Sequence, residues 1–187
     1  MNILHVDSGI FVEQSVSRKL SADVVAQLKA NNESAQVTHV DLIQNPVGHL
    51  TAEELLAEEK PHFDKYVSQV QDADVLVIGA PMYNFTIPSQ LKAWIDRILQ
   101  AGVTFQYTEQ GPEGLLKGKK AIIASGRGGV YSTGDLTALD HQESYLKHAL
   151  AFIGITDVEV VRAEGMNMGD EAREQGFKKA AEQIEQL

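Results

Sequence analysis

The sequence predicts an α/β protein built on one parallel sheet with helices on both faces. Val75–Ala80 is a short unbroken apolar run without alternation, the pattern of a strand buried on both sides. It leads directly into Leu91, Trp94, Ile95, Ile98 and Leu99 at helical spacing, with Lys92, Asp96 and Arg97 assigned to the surface. The same strand-then-helix succession recurs five times along the chain, with no repeat, linker or low-complexity stretch between units. A length of 187 residues accommodates one sizeable core, so residues 1–187 are read as one domain.

In order, Ile3, Leu4 and Val6 form a strand that ends at Asp7-Ser8-Gly9. A helix follows with Leu20, Val24, Val25 and Leu28 inward, Ser15 and Ser17 at its start as N-cap residues, and Asn31-Asn32 at its end. Gln36–Leu42 alternates loosely and reads as the second strand. Thr51-Ala52-Glu53-Glu54 has the form of a capped helix start. Glu58-Glu59-Lys60-Pro61 interrupts that helix, and a second piece runs from Phe63 towards Val70. After the third strand and its helix, Ala101–Gly118 is an excursion, read as a small hairpin turning at Gln110-Gly111-Pro112. Lys120–Ala124 is the fourth strand, followed by SGRGGVYSTGD and a helix from about Asp140 to Phe152 with Tyr145, Ala149 and Phe152 or Ile153 inward. Val158–Arg162 is the fifth strand. Ala172–Leu187 closes the chain as a helix facing inward through Phe177, Ala180, Ala181, Ile184 and Leu187. Five strands favour the flavodoxin-like order 2-1-3-4-5, in which the loops after strands one, three and four converge at one end of the sheet, where such folds bind ligands.

Composition narrows the function. A net charge of −10 excludes the basic face that a nucleic-acid binder needs. The absence of cysteine removes disulfides, thiolate catalysis and cysteine metal sites. The N-terminal apolar run is broken by His5 and Asp7 and carries no basic segment, and no apolar stretch approaches the ~18 residues of a membrane span. The expected location is the cytoplasm. His5, inside a strand, is expected to be a satisfied core residue. His39, His49, His62, His141 and His148 have no ligand spacing, and Glu53-Glu54 and Glu58-Glu59 are solvated faces, so no metal is expected.

The three convergent loops carry the chemistry. The first, DSGIFVEQSVS, offers Ser8, Ser15 and Ser17 at a helix N-terminus, where amides and the helix dipole favour an anion. Plain capping accounts for one of these serines but not all three. GxxxxGK[ST] and GxGxxG are both absent, which points away from ATP and a Rossmann-bound dinucleotide and towards a flavin mononucleotide. The second loop, PMYNFTIP, combines aromatics and an amide between two prolines, a rigid flat surface for a flat ring; its plainer reading is a strand–helix connection with tucked aromatics. In the third, Ser125-Gly126-Arg127-Gly128-Gly129, glycines admit close backbone approach, and Arg127 either favours an anionic reduced flavin or is solvated.

These residues also carry a resemblance over most of the chain. The SxS motif, APMYNF, QLKAWID, AGVTFQYTEQGPEGLLKGKKA, GRGG, FIGITDV and AEG resemble the FMN-dependent NADH-azoreductase family, flavodoxin-like homodimers also described as NAD(P)H-quinone oxidoreductases. The resemblance implies that Ser8, Ser15, Val16 and Ser17 hold the ribityl phosphate. Pro81, Met82, Tyr83, Asn84 and Phe85 would line the isoalloxazine, Asn84 bonding its polar edge, and Ser125, Gly126, Arg127, Gly128 and Gly129 would cover the other side. The chain departs from the family where Val16 replaces a glutamine and Gly126 a serine. What the resemblance implies is a ping-pong reaction, with NADH or NADPH reducing FMN and a quinone or azo compound reoxidising it. It requires no side-chain acid or base. Asn84 and Tyr131, the latter an aromatic just past GRGG, are the candidate catalytic residues. The alternative is a flavodoxin-type electron carrier that does not itself use NAD(P)H.

Overall fold

A computed structural model gives the architecture, describing residues 1–57 and 61–187, with the side chains of 61–64 left aside. The charged break expected at Glu58-Glu59-Lys60 lies outside the described residues. Seven strands form in chain order: β1 (Asn2–Asp7), β2 (Gln36–Asp41), β3 (Val75–Pro81), β4 (Phe105–Thr108), β5 (Gly111–Gly114), β6 (Lys120–Gly126) and β7 (Asp157–Ala163). The α-helices are α1 (Val16–Asn31), α2 (Ala52–Leu56), α3 (Pro61–Asp72), α4 (Ser89–Ile98), α5 (Glu143–Phe152) and α6 (Asp170–Ile184), with a 3-10 turn at Gly134–Leu139.

The main sheet has the order β2-β1-β3-β6-β7, all parallel. With the hairpin strands β4 and β5 set apart, this is the expected 2-1-3-4-5. Every residue of β3 is buried, as an unbroken apolar run at the sheet centre requires. Alternating side chains feed two cores. Leu4, Val6, Leu76, Ile78 and Ile123 meet α3, α4 and α5 on one face. Ile3, Val75, Val77, Ile122 and Val161 meet α1 and α6 on the other. Trp94 and Leu91 of α4 are fully enclosed in the first.

Four local readings need correction. Arg97 is not a surface residue: it is buried against α2, with an ion pair to Glu54 at 2.9 Å and hydrogen bonds to the Gly48 and His49 carbonyls. The β4–β5 hairpin forms, but Thr108 pairs with Gly111, so Glu109-Gln110 make the turn and Gly111-Pro112 already belong to β5. On α6 the inward set includes Gly176, whereas Ala181 is exposed. A Cβ at Gly176 would overlap the Glu164 carbonyl, so the helix packs on β7 through its missing side chain. The α5 helix begins at Glu143, because the Asp140 carboxylate accepts from the amides of Gln142 and Glu143 and holds the preceding residues outside the helix.

Candidate active site

The carboxyl ends of β1, β3 and β6 meet, and their loops are tied together by named hydrogen bonds. The Met82 amide donates to the Gly126 carbonyl at 2.9 Å, and the Ile10 amide donates to the Tyr83 hydroxyl at 3.2 Å. A cleft of about 370 Å³ opens between Ser15, Val16, Ser17, Pro81, Gly126 and the backbone of Arg127 and Gly128. It continues past the shared residues Phe11, Met82 and Tyr83 into a wider cavity of about 910 Å³ that Asn84 and Tyr145 help to line.

At the narrow end, Ser15 is the N-cap of α1, its Oγ accepting from the Arg18 amide. Ser15 Oγ lies 3.1 Å from Ser17 Oγ. The first-turn amides have no carbonyl within the helix to bond, and those not taken by the Ser15 cap can donate, with these hydroxyls, to an anion. Gly9 faces them. A Cβ there would overlap the Ser15 hydroxyl and come within 3.2 Å of Ser17 Oγ, so the cradle exists because residue 9 has no side chain. Arg18 does not point into the cradle. Its guanidinium forks onto Asp41 at 2.7 and 2.8 Å and donates to the Gly9 carbonyl, fixing the loop from behind. That fork holds the Asp41 carboxyl well below the usual carboxylate range. The cation beside the cleft is Arg173 of α6, one of its lining residues together with Gln14, Met166 and Asn167. These four were not legible in the sequence. Arg173 stands far along the chain from the serines, and only the packing of α6 brings it to them.

The second loop closes as a two-residue hairpin turn. Tyr83 and Thr86 exchange backbone hydrogen bonds, and both central residues have positive φ, 48° at Asn84 and 72° at Phe85. Non-glycine residues in this region cost about 1 kcal/mol or more each. The turn is held there by neighbours: the His141 amide donates to the Phe85 carbonyl at 3.0 Å, and Thr86 Oγ1 donates to the His141 carbonyl at 3.1 Å. The result presents the Asn84 amide and the Phe85 ring outward, both exposed.

The third loop departs most from expectation. Arg127 is neither solvated nor aimed at a ring; it is 1% exposed. Its guanidinium contacts Asp140 at 2.7 Å, Glu143 at 2.6 Å and Glu164 at 3.2 Å. Nε donates to Ser125 Oγ and to Gln142 Oε1, both at 3.0 Å. Gln142 in turn donates to the Ala80 carbonyl, so the hub reaches under the second loop. Burial alone would raise the Glu164 pKa. Hydrogen bonds from the Ser132 hydroxyl and the Tyr131 amide, with the Arg127 charge, hold it below the usual range instead. Asp140 is lowered against its burial by Arg127 in the same way.

Of the residues nominated from the sequence, Ser15, Val16, Ser17, Pro81, Met82, Tyr83, Asn84, Gly126, Arg127 and Gly128 line the two cavities, Arg127 through its backbone. Ser8 does not act as expected: its hydroxyl and amide both donate to the Gly79 carbonyl, joining β1 to β3. Ser125 is buried in the Arg127 hub. Phe85, Gly129 and Tyr131 are not among the residues lining the two cavities; the Tyr131 ring meets Phe85 edge-on at 6.3 Å. His5 is buried as expected, and its Nε2 contacts the Asp7 carboxylate at 3.3 Å without the alignment of a full hydrogen bond. The linear spacing of histidines also concealed a cluster, since strand pairing brings His5 and His39 together beside Asp7.

A family model described as flavodoxin-like fold matches residues 1–187. The FMN-dependent NADH:quinone oxidoreductase 1 of Idiomarina loihiensis is 66% identical over 187 residues, covering all of both chains. The chain belongs to this flavodoxin-like family. Another relative, the FMN-dependent NADH:quinone oxidoreductase of Sinorhizobium fredii, is 50% identical over 98% of this chain and 95% of its own. Among solved structures, an azoreductase from Bacillus anthracis superposes with a TM-score of 0.88 at 31% identity over the whole of both chains. An FMN-dependent NADH-azoreductase from the same organism, determined in complex with FMN, gives a TM-score of 0.87 at 28% identity over 100% of this chain and 99% of its own. The family therefore extends across the chain, including the loops that form the cleft.

Proposed function

We propose that the protein is an FMN-dependent NADH:quinone oxidoreductase that also cleaves azo compounds reductively, by a ping-pong reaction in one FMN-binding domain spanning residues 1–187. The observation that carries the reading is the anion cradle of Ser15, Ser17 and the α1 N-terminus, opening into a second cavity large and apolar enough for a ring system. The donor set fits FMN: two hydroxyls, first-turn amides and Arg173 suit a terminal phosphate, and Met82, Tyr83 and Asn84 suit a ring. When bound, FMN supplies hydride acceptance from NADH and passes the electrons to a quinone or azo acceptor.

The chain's own residues bind and orient. Ser15 and Ser17 hold the phosphate end; the glycines at 126 and 128 let backbone approach one edge of the ring; the strained turn presents Asn84 as the side-chain donor to its polar edge. Tyr131, whose ring meets Phe85 edge-on, is the residue this reading assigns to stacking with an aromatic substrate. A single open stacking site would serve donor and acceptor in turn, as a ping-pong reaction requires. Ile10, Phe11, Val12, Phe85, Leu136 and Leu139 are exposed apolar side chains. Ile10 and Phe11 line the wide cavity, which supports a homodimer in which a second copy covers the cleft. The reading assigns the protein to the cytoplasm; among the described residues no helix is long and apolar enough to cross a membrane.

The test is an absorption spectrum of the purified protein during anaerobic addition of NADH and then a benzoquinone. Flavin bands that bleach with NADH and return with the quinone are the expected result. Bands that ignore NADH and NADPH would favour the electron carrier, and no flavin after FMN is added would overturn the reading of all three loops.

A further inference from the structure

On the α1 face of the sheet, behind the cradle, β1 and β2 pair in parallel so that His5 stands beside His39 and Asp7 beside Asp41. Alternation along β1 puts His5 and Asp7 on the same face. We propose that His5, Asp7 and His39 form a binding site for a divalent transition-metal cation, with Zn²⁺ the best match. This rests on neither the flavin nor the redox activity.

The geometry converges on one atom. His39 Nε2 lies 2.9 Å and His5 Nε2 3.3 Å from Asp7 Oδ2, and one ligand atom from each residue falls within 4.8 Å of the others. One carboxylate oxygen thus faces two imidazoles: His39 meets it in a hydrogen bond, and His5, 8% exposed, meets it in a longer and poorly aligned contact. A cation that takes the lone pairs of both imidazoles gives each nitrogen a full partner.

Two imidazoles and one carboxylate are the donors that Zn²⁺ accepts in a tetrahedral set with one open position, whereas Mg²⁺ and Ca²⁺ require oxygen ligands. His5 and Asp7 are held by burial. The Ser21 hydroxyl donates to Asp7 Oδ1 at 2.8 Å and so fixes Oδ2 as the oxygen that faces both imidazoles. The two rings now stack with centroids 4.5 Å apart, so both lone pairs meet an ion only when one ring swings. His39 can swing: its side chain is 48% exposed on the edge strand, and water reaches the open position from that side. The cation in the neighbourhood is Arg18, 3.9 Å from Asp7 Oδ2, and it is neutralised by its fork onto Asp41. Arg18 therefore leaves the Asp7 carboxylate charge available to a cation.

The experiment is calorimetric titration of ZnCl₂ into chelator-treated, FMN-loaded protein at pH 7.5, alongside thermal unfolding with and without Zn²⁺. One ion per chain is expected, with a rise in melting temperature and no competition from excess Mg²⁺. The variant His39→Ala, on an exposed edge, is expected to keep the flavin spectrum and lose at least about tenfold in Zn²⁺ affinity. His148→Ala, on the surface of α5, is expected to bind as the parent does. Absence of binding by the parent protein, or equal binding by His39→Ala, would overturn the site. Neither result bears on the flavin bands, so the oxidoreductase reading stands or falls separately.

Discussion

Replacing Arg127 with methionine tests whether a buried charge holds the third loop in place. The substitution keeps length and apolar volume while removing a guanidinium whose side chain is fully buried. Three carboxylates lose a partner. Glu143 retains Arg162, at 2.6 Å, but Asp140 and Glu164 keep no cation from the hub. Breaking a buried pair in this way costs about 3–5 kcal/mol, because the stranded charges remain in a poorly solvated site. For a chain of this size that corresponds to a fall in melting temperature of roughly 6–20 °C. The sign with pH follows from the depressed pKa values. Asp140 and Glu164 titrate lower in the folded chain than unfolded, so their contribution is present above the unfolded carboxylate range, about 4, and is lost as pH falls through the folded values. The assay is urea unfolding of the parent and Arg127→Met at fixed FMN concentration, at pH 7 and again near pH 4. The gap is expected to be large at pH 7 and to narrow in acid as the orphaned carboxylates protonate. Equal midpoints at pH 7, or a penalty that does not change with pH, would refute the hub as an electrostatic structure.

The cleft makes three further predictions. Gly9→Ala places a methyl group against the Ser15 hydroxyl, so FMN is expected to be lost, while circular dichroism shows the parent fold. Arg173→Ala removes the cation that lines the phosphate end and is expected to raise the FMN dissociation constant about tenfold at low salt, with a smaller loss at high salt, as fluorescence titration would show. Asn84→Ala and Tyr131→Ala are expected to retain FMN but lower quinone turnover, about tenfold for Asn84 if one hydrogen bond to the ring is lost; steady-state kinetics showing parent turnover in both would remove the acceptor site from this end of the cleft.

Much of the framework was legible because it depends on local periodicity. The apolar run of β3, the inward face of α1 and the order of the sheet all follow from which residues can be buried together. The N-cap at Ser15 was equally legible, since capping chemistry is written in adjacent residues. The misread polar side chains share a physical cause: the fate of a polar group depends on what stands across from it. Arg97 resembles any surface arginine on a helix until α2 supplies Glu54. Arg127 sits among glycines and reads as a flavin partner or a solvated charge until Asp140, Glu143 and Glu164 arrive from two other segments. Ser8 reads as a phosphate donor until β3 offers its hydroxyl the Gly79 carbonyl.

The hub explains how loops so distant in sequence keep a common geometry. Arg127 belongs to the glycine loop, but its partners come from the segment before α5, from the first residue of α5 and from just past β7. Through Gln142 the hub binds the Ala80 carbonyl beneath PMYNF, and through Glu164 it binds the amides of Tyr131 and Ser132. The strained turn at Asn84-Phe85 is in turn held by His141, next to Asp140. A buried ionic cluster is weak grounds for stability, since an apolar replacement of the whole set can do as well. Its use here is directional. The bonds fix where the glycine backbone and the Asn84 amide stand relative to each other, and the flavin site proposed here would require that relation to be kept within a fraction of an ångström. Position, more than stability, is therefore what the buried arginine supplies.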